Sequence, residues 1–154
     1  MKKHENFTSL REEMAFLDDY LSIEVIRFGH DKLRIVKEIE SETMPLMVPS
    51  MLLQPIIENA IRHGLSPRLE GGEIVLRSSR RNGRLVLEVR DNGVGISAEA
   101  LESVAKKGAG QQGIGISNVR ERLRVLYGSE SEFRIESGEA GGTSIQMEVP
   151  LIGN

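Results

Sequence analysis

From Leu10 to Leu21 the apolar residues Leu10, Met14, Leu17 and Leu21 recur at 4-3-4 spacing, the stripe of a helix with one buried face. Ser9 and Glu12 stand at capping-box spacing ahead of it, so a helix is predicted over residues 9–28. Phe16, Tyr20 and Ile23 form a second stripe, which leaves two readings open: two separate partners, or one wide core face. Leu33, Ile35 and Ile39 mark a strand in 32–40. Pro45 and Pro49 then interrupt regular structure, and Pro49 stands where a helix over 51–63 would begin. "SPRLEGGE" reads as a loop. "EIVLRSSRRNGRLVLEVRD" is two alternating strands around Asn82-Gly83, a pair suited to a type I′ hairpin turn. Residues 98–105 suggest a short helix. Ile116, Val119, Leu123 and Leu126 give one face of a helix over 114–127, and "EFRIES" and "TSIQMEVP" a closing hairpin across Gly138–Gly142. This order predicts an α+β two-layer sandwich, a mixed, mostly antiparallel sheet with helices on one face.

The 154-residue chain suffices for one domain with a real core. Its net charge of −3 gives no basic field for nucleic acid, so no nucleic-acid partner is expected. Without cysteine there is no disulfide, thiol catalysis or thiolate metal site. No apolar run approaches the ~20 residues of a membrane span.

One helix departs from its own pattern. In "QPIIENAIRHG", 54–64, Ile56, Ile57, Ala60 and Ile61 belong against a core, yet Glu58, Asn59, Arg62 and His63 are threaded among them. Asn is a poor interior helix residue because its amide competes for backbone hydrogen bonds. The 16 glycines pose a second question, since many cluster in "DNGVG" (91–95), "GAGQQGIG" (108–115) and "GEAGGT" (138–143). "GAGQQG" is a literal G-x-G-x-x-G, but a basic, helix-like "LESVAKKGA" precedes it where a dinucleotide fold needs a strand. A P-loop is excluded, because no glycine precedes Lys-Ser or Lys-Thr. "DNGVG" is open between a strand-closing turn and a base pocket, in which a carboxylate accepts from an exocyclic amine and glycines let a flat ring approach. "GIGISNVRERL" is open between an ordinary helix entry and a helix N-terminus offering N–H groups to phosphate. "GGT" reads by default as a hairpin turn.

Taken in order, an Asn-bearing helix, a strand ending in Asp-x-Gly-x-Gly, a Gly-rich segment, Gly-x-Gly opening a helix and Gly-Gly-Thr opening a strand resemble the ATP-binding domain of the GHKL superfamily, the Bergerat fold. The resemblance runs from about residue 30 to 150. "LREEMAFLDDYLSIEVIRFGHDKL", "VPSMLLQPIIENAIRHG" and "GIGISNVRERLRVLYG" narrow it to the catalytic end of LytS-type bacterial sensor histidine kinases. The likeness implies that Asn59 coordinates Mg²⁺ bridging the ATP phosphates, with Arg62 and His63 as phosphate contacts. Mg²⁺ takes oxygen ligands and is usually held through the nucleotide, which suits a single amide. Glu58 is open between orienting a metal-bound water or acting as a base, and being solvated at the helix edge. Asp91 would accept from the adenine N6 amine, supported by Thr143, with Gly93 and Gly95 lining the pocket. Residues 96–112 would be the ATP lid, with Lys106 and Lys107 meeting phosphates. Gly113 and Gly115 would bring N–H groups to the phosphates, with Asn118 one turn inside the helix. Two departures stand out. Pro55 occupies the place where many members carry Asn or a catalytic Glu, and the lid is short and lacks phenylalanine.

Of His4, His30 and His63, only His4, in "HENFTSL", has a likeness to the H box of ordinary histidine kinases. An acceptor histidine sits on a helical hairpin, however, and only one helix fits between His4 and the strand at 32. The Pro-His-Phe acceptor segment of LytS-type kinases is missing. The resemblance therefore implies a catalytic portion, residues 31–154, preceded in 1–30 by the terminal part of a dimerisation or linker helix. It implies further a phosphoacceptor domain outside the chain, a homodimeric full-length protein and a response regulator as partner. The setting implied is the cytoplasmic side of a membrane-anchored kinase. Two alternatives are a nucleotide-binding regulatory module without transfer activity and an anti-sigma-type serine kinase.

Overall fold

The computed structural model describes residues 7–96, 114–137 and 141–151. In chain order these form β1 (Phe7–Ser9), α1 (Leu10–Phe28), β2 (Leu33–Ile39), a 3₁₀ turn (Ser41–Thr43), β3 (Met47–Pro49), α2 (Gln54–Asn59) continuing as a π-helical segment (Ala60–Leu65), β4 (Gly72–Arg81), β5 (Arg84–Asp91), α3 (Ile114–Tyr127), β6 (Glu132–Ser137) and β7 (Thr143–Pro150). The short helix expected at 98–105 lies outside the described residues.

The main sheet has strand order β2-β4-β5-β7-β6. Its β2–β4 pair is parallel and its other three pairs are antiparallel, giving the mixed, mostly antiparallel sheet that the pattern predicts. Alternation along the strands separates two faces. Ile74, Leu76, Leu85, Leu87, Val89, Ile145 and Met147 point into the core, where they meet Leu10, Met14, Leu17 and Leu21 of α1, Ile56, Ile57 and Ile61 of the second helix, and Ile116, Val119 and Leu123 of α3. Burying each such side chain contributes about 1.5–3 kcal/mol. The opposite face carries an ionic lattice: Arg77 pairs with Glu38 and Glu88, Arg34 with Glu73, and Glu148 with Arg84 and Arg134. Exposed pairs of this kind add little stability and mainly keep the face wet.

The Asn82-Gly83 turn has φ of 53° and 72° at its two residues, both positive as a type I′ turn requires. At α1, Ser9 Oγ accepts from Glu12 N–H at 3.1 Å. The box is only half made, because the Glu12 carboxylate takes the Thr8 hydroxyl at 2.5 Å. The helix is entered from β1 and shares the core of the sheet. Of its second stripe, Tyr20 is half-buried, while Phe16 and Ile23 remain 51% and 58% exposed. Among the described residues no helix is long and apolar enough to cross a membrane.

The expected helix start at Pro49 is corrected. Pro49 ends β3, which pairs with β1, and the chain turns through Met51 at φ 59° before α2 begins at Gln54. The proline in the first helical turn is Pro55, where a missing N–H leaves no intrahelical bond unmade.

Candidate functional site

Asn59 is the last residue of α2, and the helix then widens into the π segment, where the Ser66 N–H reaches back to the Ile61 carbonyl at 2.8 Å. π segments are uncommon and recur at functional sites. Here the widened turn delivers Gly64 to the end of β5. The Gly64 carbonyl accepts from Val94 N–H at 2.9 Å, and a Cβ on Gly93 would stand 2.2 Å from that same carbonyl oxygen. A Cβ on Gly142 would lie 2.6 Å from the Asp91 carbonyl, and Gly142 N–H donates to the Gly93 carbonyl at 2.7 Å. Ser137 Oγ donates to the Gly142 carbonyl at 2.9 Å and accepts from Ile96 N–H at 2.7 Å. Two of the glycine clusters thus have one explanation, since their backbones touch each other and the helix end.

This contact has a direct consequence. Gly93→Ala is expected to lower stability by about 1–3 kcal/mol, the range for an overpacked interior, because the obstructing atoms are backbone. Thermal unfolding checks it.

Asp91 stands inside this cradle, 8% exposed. Its Oδ1 accepts from Gly93 N–H at 2.8 Å, and the backbone N–H of Thr143, its cross-strand partner, also favours the charged carboxylate. Burial pushes the Asp91 carboxyl above the usual carboxylate range, opposed by those two N–H groups and by the Arg68 charge. A carboxylate has about four lone-pair directions, so acceptor capacity remains beyond the Gly93 bond. Arg68, which gave no signal in the sequence, braces this segment by donating to the Asn92 carbonyl, while Asn92 Oδ1 accepts from Glu73 N–H at 2.8 Å.

Around Asn59, the side chains divide. Asn59 is half-buried and makes no side-chain hydrogen bond among the described residues. Glu58 accepts from Gln54 Nε2 at 2.9 Å. Glu58 and Arg62, one turn apart, both bear on Tyr20 of α1, whose hydroxyl is pushed up to about 12 by burial, with Glu24 and Glu58 adding and Arg62 and Arg27 opposing. Arg62 is exposed and His63 half-buried in the π segment. α2 packs against α3, where a Cβ on Gly115 would stand 3.9 Å from the Pro55 carbonyl, and Asn118 is exposed one turn further on. Lys106, Lys107 and Gly113 lie outside the described residues, as does all of the expected lid except Ile96.

Among the described residues no group of three or more His, Cys, Asp or Glu side chains is placed to hold a metal. The donor set suits a cation that arrives with its own phosphate ligands: one unengaged amide oxygen at Asn59, with a buried carboxylate at Asp91. Gly64, Arg68 and Ser137 are neighbours of the candidate site that sequence reasoning missed. Only Gly64 left a trace, as the glycine closing "AIRHG".

A five-stranded mixed sheet with helices on one face and the glycine-lined end of β5 beside the Asn-bearing helix define the class: a two-layer α/β sandwich with its candidate site at one end of the sheet. The fold superposes on the catalytic domain of histidine kinase ThkA with a TM-score of 0.73 at 19% identity, covering 96% of this chain and 97% of that one. The chain belongs to the histidine kinase-, DNA gyrase B- and HSP90-like ATPase family, whose model matches residues 49–153. It is 32% identical over 150 residues to sensor histidine kinase YesM of Bacillus subtilis, covering 97% of this chain and 25% of that protein. It is 34% identical over 149 residues to sensor histidine kinase YpdA of Escherichia coli, covering 96% and 25%. The chain thus spans about a quarter of the length of these relatives. Membership in an ATPase family implies ATP binding.

Proposed function

We propose that the chain is the Mg-ATP-binding catalytic portion of a bacterial sensor histidine kinase. It donates the γ-phosphoryl group to a histidine on a dimerisation domain outside residues 1–154, from which an aspartate of a response regulator takes it. The observation that carries this reading is Asp91, a buried carboxylate with spare acceptor capacity, held at a strand end among glycines. In this role Asp91 receives the adenine N6 amine, Thr143 supports the base, and Gly93 and Gly95 line its pocket. Asn59 supplies an oxygen to Mg²⁺, whose charge neutralises the phosphates. Glu58, beside it, orients a metal-bound water or takes a proton. Arg62, His63, Lys106, Lys107, Gly113, Gly115 and Asn118 face the phosphates. Phosphoryl transfer relies on positioning and charge neutralisation more than on covalent chemistry, so the domain needs no nucleophile of its own. Residues 1–30 form the junction to the dimerisation portion of a homodimeric kinase, on the cytoplasmic side of the membrane.

Pro55 does not favour the regulatory-module alternative, because its place in the first helical turn gives it a folding role of its own.

The isolated chain is expected not to phosphorylate itself in cis at any histidine. His63 is part of the π segment beside the site and His30 sits in the exposed α1–β2 turn. Incubation with ATP and mass spectrometry under non-acidic conditions tests this, and a stable phosphohistidine at His4 would restore the H-box reading. Addition of a dimerisation domain bearing the acceptor histidine is expected to yield labelled histidine. Failure of transfer despite tight Mg-ATP binding would favour the regulatory module.

A further inference from the structure

The helix that carries Asn59 begins in an unusual way. Its N-cap residue, Leu53, has no side chain able to cap, and Pro55 in the first turn has no N–H. The turn before it runs through Met51 at φ 59°, a left-handed conformation that a side chain with a Cβ adopts at a cost. Two of the N–H groups in this turn are satisfied from far away in the chain. Glu13 of α1, only 3% exposed, accepts from Met51 N–H through Oε1 and from Leu53 N–H through Oε2, each at 3.0 Å. Among the described residues no cation pairs with this buried carboxylate, so its two backbone bonds are its whole set of partners.

We propose that Glu13 is a positioning residue for the nucleotide site: from α1 it fixes where the Asn59 helix starts, and so which way Asn59 faces. The inference rests on the Mg-ATP reading above and extends it to a residue outside the 49–153 family match. An α-helix turns about 100° per residue, at 3.6 residues per turn. A start displaced by one residue would rotate Asn59 by that angle and present Glu58 or Ala60 in its place. A carboxylate suits this task because it offers an acceptor to each N–H. A glutamine of the same size offers one acceptor and one donor, so one of the two backbone N–H groups would meet another N–H. The same bridge makes the position of α1 part of the site.

The test compares wild type, Glu13→Gln and Val149→Ala. Val149 is fully buried at the end of β7 remote from Thr143, and serves as a control for lost stability. Displacement of a fluorescent ATP analogue by Mg-ATP gives the affinity, and hydrogen exchange reads the Met51 and Leu53 amides. Glu13→Gln is expected to weaken Mg-ATP at least tenfold and to speed exchange at both amides, while Val149→Ala lowers the unfolding midpoint and keeps its affinity within twofold of wild type. If Glu13→Gln does not fold, Glu13→Asp, which keeps the charge but is one methylene shorter, carries the same readouts. Wild-type affinity in the folded Glu13 variant, or an equal loss in Val149→Ala, would overturn the proposal. Absence of Mg-ATP binding in wild type would instead overturn the reading of the site, and the two amides would still report whether Glu13 sets the helix start.

Discussion

Asn59→Ala is expected to abolish Mg²⁺-dependent ATP binding and leave the fold intact. The side chain is half-buried between Ile56, Ile57, Ala60 and Ile61, which are all buried, yet it bonds to nothing among the described residues. Removing it therefore breaks no hydrogen bond of the protein. Alanine is also the better helix former, by about half a kcal/mol, so the nucleotide-free variant should unfold no earlier than wild type. The loss falls entirely on the ligand. Without the amide oxygen the cation must replace a protein ligand by water, and affinity for Mg-ATP should drop more than about a hundredfold, or about 2.7 kcal/mol. Binding of ATP without Mg²⁺ should change little. A Mg-ATP affinity equal to wild type would remove Asn59 from the metal site.

Asp91→Asn is expected to separate stability from binding. The wild-type carboxyl is buried, and its pKa is raised mainly by desolvation despite the N–H groups of Gly93 and Thr143. The folded state therefore holds its proton more tightly than the unfolded chain. By linkage this group stabilises the fold as pH falls through its raised pKa and costs stability at neutral pH. An amide keeps one oxygen for Gly93 N–H and carries no charge to desolvate, so Asp91→Asn should melt higher than wild type at pH 7, by less than the full desolvation cost because its NH2 offers the Thr143 N–H no acceptor. The difference should shrink as the pH falls through the raised pKa. Binding should move the other way. In the proposed site adenine would present its N6 amine to the carboxylate, whereas guanine would present a carbonyl, so two acceptors would meet. Leaving a buried group unpaired costs roughly 1–3 kcal/mol, so wild type should prefer ATP over GTP at least ~10-fold. The amide variant should bind ATP more weakly and narrow that gap, because it also donates to the guanine oxygen. Thermal melts across pH and competitive displacement by both nucleotides check the two halves separately.

What the sequence disclosed, and what it withheld, follows from the range of the forces involved. The β4–β5 hairpin was legible because alternation and Asn82-Gly83 are local, and the helices because their stripes repeat every turn. Asp91, Thr143 and the glycines were legible as candidates by residue type and order. The pairing of β1 with β3 was not legible, since each is three residues long and they lie far apart in the chain. The helix start was misplaced at Pro49 for a related reason. The capping group is the Glu13 carboxylate, brought in by α1, and no residue near Met51 hints at it. The π segment escaped as well, because "AIRHGL" satisfies an ordinary helical pattern. Only the abutment of Gly64 on Gly93 shows why the turn must widen. Glycines that serve one another across the fold carry no periodicity.

The central claim, that the cradle around Asp91 and the helix end at Asn59 hold Mg-ATP, is tested most directly by calorimetric titration of the chain with ATP, with and without Mg²⁺, in wild type and Asn59→Ala. One ATP per chain, bound more tightly with Mg²⁺ in wild type and without that gain in Asn59→Ala, is the expected result. No saturable binding of ATP, or an equal gain from Mg²⁺ in both proteins, would contradict it.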